Sequence, residues 1–188
     1  MKFKKYFVFA FAIVAFLNLS AQNKYFTKEA SIVLDATAKS SSESVVGKST
    51  TATSVIDAGN GALEFLVLIK SINFHKALMQ EHFNENYLES SKFPKANFKG
   101  KIENIADINF EKDGNYKAKV SGTLTIHGIS KPVTSTATFK VSNGKIEANS
   151  KFSVILSDYG ISIPSLVADK VAKTANLEIN AVYKLLKK

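Results

Sequence analysis

Apolar and polar residues alternate along most of the chain, which is the period of a β-strand with one buried face. In the clearest run, residues 116–126, Val120 and Leu124 belong to the apolar set, and lysine, serine or threonine fills the positions between. Similar runs predict eight strands, at residues 28–38, 44–56, 62–73, 95–105, 115–127, 132–142, 145–157 and 176–187. The chain is therefore predicted to be an all-β protein.

Short turn sequences separate several of these strands. Asn143-Gly144 is the strongest of them, because the alternation continues on both sides and this pair is typical of a two-residue β-hairpin. Residues 59–61 and 113–114 mark two further turns. Strands joined in this way predict an antiparallel meander, and a barrel with eight strands is one way in which it can close. A two-sheet sandwich has the same period and stays open as the alternative.

Two segments break the strand pattern. Within residues 75–91, Met79, Phe83 and Tyr87 recur at every fourth position, which predicts a short helical insertion. A second short helix is predicted at residues 166–174, after a Pro-Ser pair. Helices this short need a sheet or a barrel to pack against. We expect them to lie across one end of the barrel, where they would form a lid.

The inward positions of the predicted strands mix large and small side chains. An eight-stranded barrel either fills its interior with its own side chains or leaves room for one slender ligand, and the residues alone leave both options open. The candidate residues for an apolar pocket are Phe65, Val67, Ile69, Phe98, Ile102, Val120, Leu124 and Phe139.

The first residues have the pattern of a secretory signal peptide. Lys2, Lys4 and Lys5 precede an uncharged apolar run, 6–17, and small residues follow as far as Ala21. The run is shorter than the ~20 residues that a membrane-spanning helix needs, which argues against an anchor. We therefore expect a signal peptide at residues 1–21, cleavage after Ala21, and a single periplasmic or secreted domain at residues 22–188.

The composition excludes several classes of function. The sequence has no cysteine, so disulfides, thiolate chemistry and lipid attachment through a cysteine are all excluded. The formal net charge is +9, but every basic residue is lysine and the lysines are scattered singly along the strands. The arginine that reads guanine edges or grips phosphate is missing, so no nucleic-acid partner is predicted.

The sequence offers little support for catalysis. No nucleophile elbow and no zinc-protease motif is present, and the three histidines, His75, His82 and His127, have no triad or metal spacing. Residues 47–49 resemble the end of a phosphate-binding loop but lack its leading glycine. We predict a protein that is not an enzyme and has no cofactor and no metal.

Several stretches closely resemble the YceI-like family of secreted, lipocalin-like proteins. The stretches are LMQEHFNENY at 78–87, KFPKANFKG at 92–100, GTLTIHGISKPV at 122–133 and DYGISIPS at 158–165. The resemblance implies an antiparallel lipocalin-like barrel that holds a long isoprenoid lipid. It is poor over the first two strands, where residues 30–35 lack the aspartate and histidine-serine pair of many relatives.

The resemblance also suggests which residues lie near the lipid head group. The candidates for the mouth or lid of the pocket are His75, Met79, His82, Phe83, Tyr87, Tyr159 and Lys170. Lys170 would neutralise a pyrophosphate head group if the ligand carries one, although an ordinary solvated lysine is the favoured interpretation. For His127, beside Gly128, a turn histidine bonded to backbone and a ligand contact both stay open.

The expected function is therefore an exported isoprenoid-lipid binding protein that stores, carries or protects a quinone or a polyprenyl phosphate. The alternatives are a filled structural or interaction barrel of the cell envelope, and a fatty-acid binding protein. The sequence leaves open transient contact with a membrane and the formation of a homodimer.

Overall fold

The computed structural model describes residues 23–186, so the predicted signal peptide lies outside the described residues. The strands are β1 Lys24–Thr37, β2 Val46–Asp57, β3 Ala62–Leu68, β4 Asn73–Phe74, β5 Lys95–Ile102, β6 Gly114–Ile126, β7 Ile129–Ser142, β8 Lys145–Ile155 and β9 Val171–Leu185. Eight of them are long and correspond to the eight predicted runs, although β3 ends at Leu68 instead of residue 73. A 3-10 turn follows it, and β4 is a two-residue strand paired with β2.

The eight long strands close into an antiparallel barrel. The order around the sheet is β1-β9-β8-β7-β6-β5-β3-β2, and β2 pairs back onto β1. The closing ladder places Tyr25 opposite Ile56 and Asp35 opposite Val46. Closure removes both sheet edges. The barrel prediction is confirmed, and the two-sheet sandwich is excluded.

Two tight turns set the register of consecutive strands. At the predicted Asn143-Gly144 hairpin, φ is 51° and 74°, the left-handed pair of a type I′ turn. His127 and Gly128 form a second turn of this kind, with φ of 51° and 75°. Because this turn has only two residues, β7 begins at Ile129 instead of the predicted residue 132.

The first predicted helix is present and the second is not. Helix α1, Ala77–His82, continues as a π-helical turn at Phe83–Tyr87. The segment predicted as helix at 166–174 is a single 3-10 turn, Ser165–Val167, and β9 already begins at Val171. The β-branched side chains after this turn favour extended backbone, and the ladders with β1 and β8 supply their hydrogen-bond partners.

One end of the barrel is filled by a close-packed core, which we call the packed end. Here β1 begins and β2 ends, and Ile56 and Ile102 are 0% and 1% exposed. Phe110 connects the aromatic rings, with its centroid 5.2 Å from that of Tyr25 and 5.4 Å from that of Phe139. This core closes the lumen at one end, so any internal space has to open at the other.

Candidate functional site

A cavity of about 540 Å³ occupies the rest of the barrel. All the predicted pocket residues except Ile102 line it: Phe65, Val67, Ile69, Phe98, Val120, Leu124 and Phe139. Ile102 faces inward as predicted, but it belongs to the packed end and is buried there. The cavity opens where β1, β3, β6 and β8 finish, which we call the mouth end.

The lumen is hollow because several inward positions are occupied by alanine. Ala137 on β7, Ala148 on β8 and Ala181 on β9 all line the cavity, and Ala148 lies directly opposite Ala181 in the ladder. Ala96 on β5 lines it from the other side of the barrel. In an eight-stranded barrel the interior has room only for side chains, so small ones leave a channel for a ligand.

A glycine pair shapes the wall beside Phe98. Gly100 and Gly122 are partners across β5 and β6. A Cβ atom on either glycine would come within 2.5 or 2.6 Å of Phe98 Cζ. The ring therefore lies over the two bare backbones and against the wall, which leaves the lumen open. Both glycines fall in the stretches that resemble the YceI-like family, but the sequence analysis did not single them out.

The floor of the cavity carries two buried hydroxyl groups. Ser54 Oγ donates to the carbonyl oxygen of Glu64 at 2.8 Å and lies 2.8 Å from the Tyr183 hydroxyl. Burial raises the pKa of Tyr183 to about 12, so this phenol is neutral at physiological pH. The hydroxyls bond to protein groups, so the floor presents no charge to a ligand.

The helical segment lies across the mouth end of the barrel, where the sequence predicted a lid. Met79, Phe83 and Tyr87 line the cavity from above. The Phe83 ring centroid is 4.8 Å from that of Phe74 on β4. Gln80, on the same helix, accepts from the Phe74 amide at 2.9 Å and donates to the Ile72 carbonyl at 2.9 Å. The helix is therefore held to the barrel by packing and by an amide clamp.

The remaining predicted mouth residues lie in different places. His82 lines the mouth while staying exposed to solvent, and Tyr159 is buried in the wall. His75 is exposed and does not line the cavity. Lys170 lines the cavity on the loop between β8 and β9.

Lys170 belongs to an ion cluster that crosses the mouth. The Glu43 carboxylate accepts a short hydrogen bond from Lys76 at one oxygen, and its other oxygen is 3.7 Å from Lys170 Nζ. The hydrogen bond from Lys76, together with the positive charge of both lysines, lowers the pKa of Glu43 below its usual value. The cluster connects the β1–β2 loop, the start of the lid and the β8–β9 loop. Among the described residues, Glu43, Lys76 and Lys170 are the carboxylate and lysine side chains that line the cavity.

His127 has a structural role in the β6–β7 turn. One ring nitrogen, Nδ1, is 3.1 Å from the Tyr159 carbonyl oxygen, and Nε2 is 2.7 Å from a carboxylate oxygen of Glu89. The ring also packs edge-on against Phe93 at 4.7 Å. These bonds join the turn to the segment after the lid and to the β8–β9 loop. Of the two interpretations left open, the backbone-bonded turn histidine is the one found.

Sequence reasoning missed part of the site. The walls contributed by β1 and β9 were not proposed as pocket, although the alternation in β9 was readable; they contain Ile32, Leu34, Ala36, Ala175, Leu177 and Ala181. Glu43 and Lys76 were also missed. No local signal pairs them, because they are 33 residues apart and meet only when the barrel closes.

The described residues contain neither a metal-binding cluster nor a membrane-spanning helix. Within residues 23–186, no group of three or more histidine, aspartate or glutamate side chains is arranged to hold a metal ion. The helices in that range are too short or too polar to cross a bilayer.

A closed antiparallel barrel with an apolar cavity that is filled at one end and covered by a lid at the other defines a lipocalin-like protein. The family model of the YceI-like domain matches residues 13–183, and the chain belongs to the YceI-like family. A search of curated protein sequences found no match.

Solved structures share this fold at low sequence identity. A polyisoprenoid-binding domain from Saccharophagus degradans, implicated in plant cell wall breakdown, superposes with a TM-score of 0.75 at 12% identity, over 88% of this chain and 99% of that one. Burkholderia cenocepacia BcnA gives 0.66 at 15% identity, over 82% and 96%. The Campylobacter jejuni YceI protein gives 0.51 at 20% identity, over 99% and 100%.

Proposed function

We propose that this protein is an exported carrier of an isoprenoid lipid, a quinone or a polyprenyl phosphate, which it stores, transports or protects. The observation that carries the proposal is the apolar cavity of about 540 Å³, whose charged lining side chains, among residues 23–186, lie at the mouth. Its volume lies within the ~300–1,000 Å³ of typical small-molecule pockets. An amphipathic lipid would place its tail in the lumen and its head group at the lid.

The energetics of tail burial support this proposal. Each methylene group taken out of water contributes about 0.8 kcal/mol, so a tail of several isoprene units binds tightly without a charged anchor. The wall that would contact such a tail is mainly alanine, branched aliphatic and phenylalanine side chains. The S. degradans neighbour is described as a polyisoprenoid-binding domain, which agrees with a ligand of this class.

Binding is favoured over catalysis by the surroundings of the histidines. His127 is engaged in the β6–β7 turn, and His75 and His82 are exposed at the mouth end. Within the described part of the chain, no nucleophile is bonded to either of the exposed histidines. A reaction on the lipid would need a general base or a nucleophile within reach of the cavity. The YceI-like family is a family of binding domains, and a binding role fits this site.

Export is supported by the sequence. A lysine-rich start, an apolar run and a small residue at position 21 match a Sec-type signal peptide. The absence of cysteine suits a compartment in which thiols oxidise. YceI-like proteins are generally periplasmic, which agrees with the same destination.

The first test is native mass spectrometry of the mature protein purified from its host's envelope, followed by extraction and identification of any bound lipid. A stoichiometric quinone or polyprenyl species is the expected result. A stoichiometric fatty acid would mean that the natural ligand is a straight-chain lipid and not an isoprenoid. Protein that is empty, and that takes up no added isoprenoid, would favour a structural barrel instead.

A pair of variants connects the lipid to the cavity. Ala137→Phe adds a ring inside the lumen, whereas Thr138→Phe adds the same ring on the exposed outer face of the same strand. We expect Ala137→Phe to lose the bound lipid and to keep the circular dichroism spectrum of the barrel, because the new ring occupies ligand space. Equal lipid content in both variants would place the ligand outside the lumen.

A further inference from the structure

Exposed apolar side chains occur at both ends of the barrel, and five of them surround its mouth. Among residues 23–186, the large apolar side chains that are exposed are Val55, Leu68, Leu78, Ile129, Ile155, Leu166, Val182, Leu185 and Leu186. Five of the nine lie at the mouth end: at the first or last residue of a strand, on helix α1 or on the β8–β9 loop. This set, which we call the apolar rim, consists of Leu68, Leu78, Ile129, Ile155 and Leu166.

The most exposed members flank the opening of the cavity. Leu166, in the 3-10 turn of the β8–β9 loop, is 88% exposed, and Leu78 on α1 is 61% exposed. Their sequence neighbours Val167 and Met79 line the cavity. At Leu78, which itself lines the cavity, and beside Leu166, the rim therefore adjoins the apolar lumen. A soluble protein rarely leaves such a surface uncovered unless it serves an interaction.

Lysines stand beside two of these leucines and favour an anionic partner. Lys76 precedes Leu78 by two residues, and Lys170 follows Leu166 by four; their side chains are 56% and 52% exposed. Both contact the single carboxylate of Glu43, so the cluster keeps one positive charge. Leucines that project beside lysines are typical of a surface that inserts into the headgroup region of an anionic bilayer.

We propose that the apolar rim docks on the surface of an anionic lipid bilayer, so that the cavity opens directly onto the acyl chains. The proposal rests on the lipid-binding function proposed above. A lipid that left a bilayer for a distant carrier would have to expose its tail to water, at a cost proportional to the tail area. Docking at the rim removes that step, because the tail passes from one apolar medium to another.

The test is cosedimentation with vesicles made of equal parts phosphatidylglycerol and phosphatidylcholine, with pure phosphatidylcholine vesicles alongside. We expect the wild type to bind the mixed vesicles and to be released by salt, since exposed charges are screened. The double variant Ile155→Ser/Leu166→Ser should bind at least about tenfold more weakly because it lacks two inserting side chains. Neither residue lines the cavity, so the lumen stays unchanged.

Leu185→Ser provides the matched control. Leu185 is 45% exposed, but it lies at the end of β9, at the packed end of the barrel. This variant should bind the mixed vesicles as the wild type does. The rim would be overturned as the docking surface by either of two results. One is an equal loss of vesicle binding in Leu185→Ser and in the double variant, and the other is no loss of vesicle binding in the double variant. A dimer seen by light scattering that Leu166→Ser dissociates would assign the rim to a second copy and would also overturn the proposal.

A parallel assay separates the docking surface from the lipid-binding function. Uptake of a fluorescent polyprenyl phosphate from detergent solution needs the lumen but no bilayer. Uptake without vesicle binding would overturn the docking proposal and leave the carrier function intact. Vesicle binding through the rim without uptake would support the docking surface and count against the carrier function.

Discussion

The packed end and the mouth end of the barrel are built from the same strands but differ in the size of their inward side chains. On β7, the inward residues from mouth to packed end include Ser135, Ala137, Phe139 and Val141. Phe139 and Val141 are 2% exposed, whereas Ala137 borders empty space. One strand therefore contributes to stability at one end and to ligand space at the other. The period of the strand determines which side chains point inward, but it does not determine how large those side chains are.

The largest expected effect is a loss of stability at the packed end. Phe110→Ala removes a ring that is 6% exposed and contacts Tyr25 and Phe139, so it should lower the free energy of unfolding by about 3–5 kcal/mol. Urea denaturation measures this loss. The control, Phe65→Ala, removes a ring that faces the cavity, and its cost should be clearly smaller. Equal losses would mean that the mouth half is packed as tightly as the other end.

The second effect is a loss of stability at alkaline pH, and it comes from Tyr183 at the floor of the cavity. Burial raises the pKa of Tyr183 to about 12 from an ordinary value of 10.0. Above pH 10 the unfolded chain loses this proton first while the folded chain keeps it, so stability falls as the pH rises through that window. The fall approaches ~3 kcal/mol, at about 1.36 kcal/mol for each pKa unit.

Denaturation at a series of alkaline pH values, with Tyr183→Phe as the comparison, measures this effect. The variant should have a flatter profile, because it has no phenol to ionise at this position. If stability falls with pH as steeply in Tyr183→Phe as in the wild type, the loss of stability is assigned to Tyr25, Tyr87 and Tyr159. Burial also raises the pKa values of these three tyrosines.

The third effect belongs to the lid. Met79→Ala shortens a side chain that lines the cavity and is only partly buried, so we expect bound lipid to dissociate about tenfold faster, as the lost contact area implies. Thermal stability should change little. Stopped-flow release of a fluorescent lipid measures the rate, and Glu81→Ala, on the exposed face of the same helix, is the control. A larger loss of stability than of lipid retention would make the segment a core helix.

The smallest effect concerns the ion cluster at the mouth. Glu43 has a lowered pKa, chiefly through its hydrogen bond from Lys76, so the carboxylate stays charged as the pH falls to its ordinary value of 4.5. The contribution of the cluster is present above that pH and is lost only as the pH falls through the lowered pKa. Glu43→Gln should reproduce the loss at neutral pH.

Amide hydrogen exchange measures this change. Exchange in α1 and in residues 165–170 should quicken in Glu43→Gln, while the strands of the packed end keep their protection. Lys117→Glu, an exposed change on β6 far from the cluster, should alter neither region. Unchanged exchange in the mouth segments would show that packing and the Gln80 clamp hold the lid without the ion cluster.

Much of the fold was readable from the sequence because its causes are local. Alternation placed eight strands and their inward faces, and Asn143-Gly144 marked a hairpin whose left-handed residues need that pair. The spacing of Met79, Phe83 and Tyr87 placed the lid helix. The 166–174 segment was read wrongly, because its apolar spacing suits a helix while its ladder with β1 and β8 favours a strand.

The tertiary structure alone decided the features on which function depends. Whether the lumen is hollow depends on the summed volume of the inward side chains from eight strands. The alternation of residues along any one strand does not reveal that total volume. The meeting of Glu43 with Lys76 and Lys170, and the arrangement of the apolar rim around the mouth, likewise require closure of β1 onto β2. The sequence by itself determined which way each side chain points, and closure of the barrel determined what each one faces.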